Sequence, residues 1–136
     1  MLIVSLFDIL GPVMVGPSSS HTAGACRLGL MARAILGGTP TRAHIRLHGS
    51  FAATGDGHGT KRAIVGGLIG LPPDDLRLRE AFAEAEDAGL EWSFENVDLG
   101  EEAHPNTVVI DLERDGESVE VRGASIGGGR IEVTEL

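Results

Sequence analysis

LEWSFENVDLGEEAHPNTVVIDLERDGESVEVRGASIGGGRIEV, residues 90–133, is the stretch that decides the fold class. Leu90, Trp92 and Phe94 alternate with Glu91, Ser93 and Glu95, the period of two expected of a strand with one buried face. Val108, Ile110 and Leu112 repeat that pattern. Asp115-Gly116 reads as a hairpin turn into Val119 and Val121. Gly123 to Gly129 reads as a hairpin with bulges, and its glycine run turns the chain into a last strand carrying Ile131 and Val133. Upstream the period is helical. Ala25, Leu28, Ala32 and Ile35 predict a helix over 22–36 stopped by Gly37-Gly38. Ala43, Ile45 and Leu47 oppose His44, Arg46 and His48, which predicts a half-buried strand over 43–49. A second helix is expected over 59–70, and a third from Asp74, after Pro72-Pro73, to Gly89. Residues 1–16 read as a buried strand or extended segment. Helix, strand, two helices and then mostly antiparallel strands make an α+β domain. The expected form is a two-layer sandwich with helices on one face of a mixed, largely antiparallel sheet.

The chain has 136 residues, the size of one domain, and no repeat or linker divides it. Such a chain buries ~68–70% of its extended surface, enough for a core of its own. Its net charge is −9 and it has no basic run. That argues against nucleic acid, whose phosphates need a basic face, and against an anionic membrane surface. The apolar start lacks a basic leader, contains Asp8, and is broken at Gly11-Pro12 and Gly16-Pro17, so it does not read as a signal peptide or a membrane span. A single cysteine, Cys26, excludes an internal disulfide and suits a reducing compartment. The expectation is a cytoplasmic protein.

Two segments stand out for chemistry. Gly16-Pro17-Ser18-Ser19-Ser20-His21-Thr22 puts four hydroxyls and an imidazole at a helix start. One hydroxyl suffices to cap a helix. A helix N-terminus carries a partial positive charge of ~0.5 and free N–H donors, so the surplus points to a bound carboxylate or phosphate. Gly55-Asp56-Gly57-His58-Gly59-Thr60 leaves His58 between glycines, where an imidazole suits general acid–base work; the plain alternative is a tight turn. It lacks the ending of a phosphate-binding P-loop. His48 ends the first strand, as ready to be polar surface as site. His44 and His48 share a strand face but have no third ligand at suitable spacing, so no metal site is expected. His104-Pro105-Asn106-Thr107 reads as a turn. Lys61 is the only lysine, and with no phosphate cradle near it pyridoxal phosphate is rejected. Cys26 is expected in the core.

Taken in order, FDILGPVMVGPSSSHTAGA (7–25), HGSFAATGDGHGTKRAIVGGL (48–68), HPNT (104–107) and GASIGGGRIEVTEL (123–136) resemble the beta subunit of iron–sulfur-dependent L-serine dehydratases. The resemblance covers essentially the whole chain, and GPSSSHT followed by GHGT is specific as a pair. It implies a two-layer α+β domain that packs on a separate alpha chain. The alpha chain would hold a [4Fe–4S] cluster, and L-serine would be converted to pyruvate and ammonia. By matching motif, His58, with His21, would be the acid–base residue or its helper. Ser18, Ser19, Ser20, Thr22, His48, Gly59 and Thr60 would hold the substrate. A homodimer is open to the isolated chain. Longer relatives continue into a regulatory ACT domain, whereas a single domain over 1–136 is expected here. A different class of function, a serine- or anion-sensing regulatory domain with no chemistry, also fits the fold, and so does a scaffold for the alpha chain.

Overall fold

The computed structural model describes residues 3–5, 20–54, 59–127 and 130–135. In chain order they form β1 (Ile3–Ser5), α1 (Ser20–Leu36), β2 (Arg42–His48), α2 (Ser50–Thr54), α3 (Gly59–Leu68), a 3-10 turn (Leu76–Glu80), α4 (Ala81–Asp87), β3 (Glu91–Val97), β4 (Thr107–Arg114), β5 (Glu117–Gly127) and β6 (Arg130–Glu135). The strands make one six-stranded sheet in the order β1-β6-β5-β4-β2-β3. Only β2 and β3 run parallel, and the chain between them holds α2, α3 and α4. Parallel neighbours require such a crossover, whereas β4, β5 and β6 follow one another as hairpins. This is the mixed, largely antiparallel α+β arrangement expected from the sequence.

The register sorts the side chains. Ala43, Ile45 and Leu47 on β2 and Val108, Ile110 and Leu112 on β4 point inward and are buried. Val121 on β5 and Ile131 and Val133 on β6 join them, under Leu28, Met31, Ala32 and Leu36 of α1 and Ala63, Ile64, Val65 and Leu68 of α3. The opposite face carries charge. Arg46 Nη2 donates to Asp111 Oδ2 at 2.9 Å and to Glu120 Oε1 at 3.1 Å, and His44 Nε2 meets Glu95 Oε1 at 2.9 Å. Surface pairs of this kind, here exposed at His44 and half-buried at Arg46, contribute ~0–1 kcal/mol each. They keep the uncovered face wet more than they hold the fold.

Two expectations need correction. The helix expected over 74–89 splits into a 3-10 turn and a seven-residue α-helix. The two meet at Glu80, whose backbone (φ −112°, ψ 26°) is not helical; the Asp75 carboxylate accepts from the Arg77 N–H at 2.8 Å and caps the 3-10 turn, from which Leu78 packs half-buried against the core. The Arg77 hydrogen bond also holds the Asp75 carboxyl below its ordinary value. Residues 50–54, which have too few turns to show a period, form α2 and drop Phe51 into the core.

The helical layer depends on one close approach. A methyl group on Gly29 of α1 would collide with the Ile64 carbonyl oxygen, and it would lie 3.0 Å from Leu68 N and 3.1 Å from Gly67 Cα. A methyl on Gly67 of α3 would strike the Cys26 carbonyl oxygen and lie 2.8 Å from Leu30 N. The two helices touch backbone to backbone here. The ~1 kcal/mol that each glycine costs a helix is offset by a contact no larger residue permits. Gly29→Ala is therefore expected to lower stability despite its better helix propensity, by ~1–3 kcal/mol as for other overpacked cores. Urea unfolding of the two proteins measures it.

Candidate functional site

The helices α1 and α3 run in the same direction. Gly29 and Leu30 lie against Gly67, and seven or eight residues earlier Thr22 lies against Gly59: the Thr22 Oγ1 stands 3.9 Å from where a methyl on Gly59 would be. Both chains thus advance in step from adjacent starts. Ser20 opens α1 and Gly59 opens α3. Each start offers N–H groups with no partner inside its helix and the positive end of a helix dipole. Side by side they concentrate donors and positive potential on one small area, which suits a carboxylate.

The ends of the neighbouring elements gather near it. Against Gly24, two residues beyond Thr22, packs Ser125 of β5, where the sheet register shifts between Ser125 and Gly127. The Ser125 N–H donates to the Asn106 carbonyl oxygen at 3.0 Å. In the same connection, the Pro105 carbonyl oxygen accepts from the Ser50 N–H at 2.7 Å. Gly49 makes this junction possible. Its φ is +60° and a side chain there would meet the Pro105 backbone. The connection is stiffened from within: the Asn106 N–H donates to His104 Nδ1 at 3.0 Å, and Thr107 Oγ1 donates to the His104 carbonyl oxygen at 2.6 Å. The segments His48-Gly49-Ser50, His104-Pro105-Asn106, Ser125 and the start of α1 are thereby linked at one end of the domain.

The predicted site residues distribute as follows. Ser18, Ser19 and His58 lie outside the described residues. Ser20 and His21 belong to the first turn of α1, their side chains outside that description. Thr22 and Gly59 are brought together, and Thr60, next on α3, is buried. His48 departs from its expected place beside His44 and Arg46 on the open side of β2. It is buried, 8% exposed, because the connection after β3 folds over the strand end and the Leu99 N–H donates to its Nδ1 at 3.0 Å. His104 to Asn106 and Ser125 were not singled out as site residues. Histidine followed at once by glycine at a strand end, with a histidine–proline pair elsewhere, was the available signal. Arg27, a buried cation about two turns along α1 whose pKa burial lowers, has no signal of its own in the sequence. The charged groove on the outer sheet face, lined by Arg42, His44, Asp111, Glu113, Ser118 and Glu120, belongs to the ion-pair lattice and not to this junction.

The donor set does not fit an iron–sulfur cluster. Cys26 is fully buried, its Sγ donates to the Leu71 carbonyl oxygen at 3.1 Å, and burial pushes the thiol up from 9.0 to about 12. A cluster takes several thiolates, and this chain has one cysteine, held as a thiol. Among the described residues no three His, Cys, Asp or Glu side chains converge as a metal site. Lys61 Nζ sits over the Phe94 ring, 5.3 Å from its centroid. No helix among the described residues is long and apolar enough to cross a membrane.

Comparison with known proteins adds to this geometry. The family described as serine dehydratase beta chain matches residues 5–95. Over 133 residues, 97% of the chain, the sequence is 47% identical to the L-serine dehydratase beta chain of Peptoniphilus asaccharolyticus. It is 48% identical over 132 residues to the probable L-serine dehydratase beta chain of Bacillus subtilis. The chain spans about 60% of the length of each of these two relatives. It is also 42% identical over 81 residues to L-serine dehydratase 2 of Escherichia coli, where the match is 17% of a longer protein.

The state of Cys26 gives a direct expectation. A thiol raised from 9.0 to about 12 stabilises the fold fully below pH 9, and that contribution is lost as pH rises from 9 to 12. At pH 8 the folded chain is expected to resist a thiol-alkylating reagent and to react at the rate of a free thiol once urea unfolds it. Fast labelling of the folded chain would contradict the burial of this group.

Proposed function

The chain belongs to the serine dehydratase beta-chain family, and we propose that, within an L-serine dehydratase, it supplies a carboxylate-binding pocket and an acid–base imidazole to a site completed by an alpha chain. The observation that carries this reading is the pairing of two helix starts, Thr22 against Gly59, each start bearing one of the two motifs that stand out in the sequence. In the proposed arrangement Ser18, Ser19, Ser20 and Thr22 meet the serine carboxylate together with the positive ends of α1 and α3. Gly59 keeps the approach open, and Thr60 backs it. His58 moves a proton on or off the reacting carbons, with His21 as its helper. The overall chemistry balances simply. L-Serine loses its α-proton and its hydroxyl as water, the resulting enamine tautomerises to an imine, and water releases ammonia and leaves pyruvate.

The cluster implied by this family is assigned to the alpha chain, since the lone buried thiol here suits no cluster and none of the steps given to this chain needs one. Two facts support a partner. The beta-chain relatives carry a subunit name, and the Escherichia coli relative is a longer protein of which the matching segment is 17%.

The decisive experiment pairs this chain with a cluster-bearing partner and substitutes His58→Ala. The expected result is a fall in kcat of roughly 10²–10⁴-fold, the range of a lost general acid or base. Serine binding, followed by KM, should change far less. A normal kcat with only altered regulation would replace this reading with that of a serine-sensing domain without chemistry. No effect from His58→Ala or from a triple Ser18, Ser19 and Ser20 to alanine change would leave a scaffold.

A further inference from the structure

The connection between β3 and β4, residues 98–106, contains no regular element, yet it delivers His104, Pro105 and Asn106 to the junction at the end of the domain. Its second half is anchored twice, by Ser50 on the Pro105 carbonyl and by Ser125 on the Asn106 carbonyl. Within its first half, the Asp98 carboxylate accepts from the Gly100 N–H at 2.8 Å and the Gly100 carbonyl from the Ala103 N–H at 3.3 Å. Those bonds are internal. Among the described residues, the hydrogen bond that ties residues 98–103 to another element is that of the Leu99 N–H to His48 Nδ1, at 3.0 Å.

That bond fixes the chemistry of the ring. A backbone N–H can only donate, so Nδ1 must be the bare nitrogen and the ring proton of the neutral imidazole must sit on Nε2. His48 is the last residue of β2 and pairs with Val97, the last residue of β3. The Leu99 N–H, two residues further on, therefore finds a side chain in place of the next rung of the ladder. His48 as a residue is 8% exposed, which leaves water little access to compete for the bond. Directly after it, Gly49 turns with φ +60° against Pro105. One strand end thus grips both ends of the same connection, through His48 at Leu99 and through Gly49 and Ser50 at Pro105.

We propose that His48 is a positioning residue, an Nε2–H imidazole that latches the 98–103 segment to the end of β2 and so sets His104 to Asn106 at the junction. Its consequence for catalysis rests on the function proposed above; the ring state and the latch do not. This task differs from contact with substrate, and side-chain geometry separates the two. The Oδ1 of asparagine can stand where Nδ1 stands and still accept from Leu99. The amide nitrogen of glutamine reproduces Nε2 and offers nothing to Leu99.

The first test uses the full chain labelled with 15N in its histidines. Long-range proton–nitrogen correlation is expected to show His48 with a bare Nδ1 and a protonated Nε2, together with slow exchange of the Leu99 amide. A protonated Nδ1, or a Leu99 amide exchanging as fast as an exposed loop, would overturn the latch. The second test compares His48→Asn and His48→Gln in the complex with the cluster-bearing partner. His48→Asn should keep Leu99 protection and most of kcat. His48→Gln should lose both, with kcat falling roughly 10–100-fold as for a small misplacement of a distant group. The reverse ranking would give the ring a direct role through Nε2 and sink the proposal. If the wild-type complex does not deaminate serine, the functional reading falls, and the ring-nitrogen result alone upholds or overturns the latch.

Discussion

The backbone contact between Gly29 on α1 and Gly67 on α3 is the constraint from which the rest of the arrangement follows. Two helices that touch without side chains between them cannot slide or rotate relative to one another without steric conflict. Because they run in the same direction, fixing their middles also fixes their beginnings. Thr22 and Gly59 are neighbours for that reason, although 37 positions apart in the sequence. The core beneath does the energetic work, with α1 laid across β5 and β6 and α3 beside it. The glycines do the geometric work. A pair of helices packed through leucines at an ordinary separation of ~8–10 Å would be as stable and would spread the two starts apart.

The sheet divides the domain into two surfaces of different character. Its inner face is apolar and buried. Its outer face carries Arg42, His44 and Arg46 in register with Glu91, Ser93 and Glu95 on one side and Asp111 and Glu113 on the other. Opposite charges set across strands satisfy each other, so this face has no concentrated potential with which to recruit an anion. The junction at the helix starts is the contrary case, where the positive ends of two helices running the same way lie together. That contrast, and not the depth of any groove, separates the candidate site from the remaining surface.

Periodicity made most of the fold legible. The strands from residue 90 onward, the helix that begins with Ser20, and the buried trio Ala43, Ile45 and Leu47 all follow from spacing of apolar residues, and that helix and β2 stand within two residues of the limits expected for them, 22–36 and 43–49. Three features were not legible, each for a physical reason. The break between the 3-10 turn and α4 lies at Glu80, whose backbone leaves the helical region (φ −112°, ψ 26°) with no side-chain cap to mark it in the sequence. The short helix α2 is less than two turns long and has no period to read. Burial of His48 depends on a connection fifty residues further along the chain, and alternation within β2 carries no information about it. Of the candidate site, the two motifs could be picked out locally, whereas their meeting could not: it is a property of the α1–α3 contact. The junction of Gly49, Pro105, Asn106 and Ser125 is likewise long-range.

The central claim is that the two helix starts act on one bound carboxylate, and a double-mutant cycle tests it most directly. Thr22→Val and Thr60→Val, alone and together, would be measured for kcat/KM on L-serine in the complex with the cluster-bearing partner, with urea stability followed in parallel. Shared contact with one ligand predicts a coupling of ~0.5–3 kcal/mol in kcat/KM that is missing from the stability data. Losses that simply add, within ~0.3–0.5 kcal/mol, would mean that the two starts serve separate ends and would contradict the account.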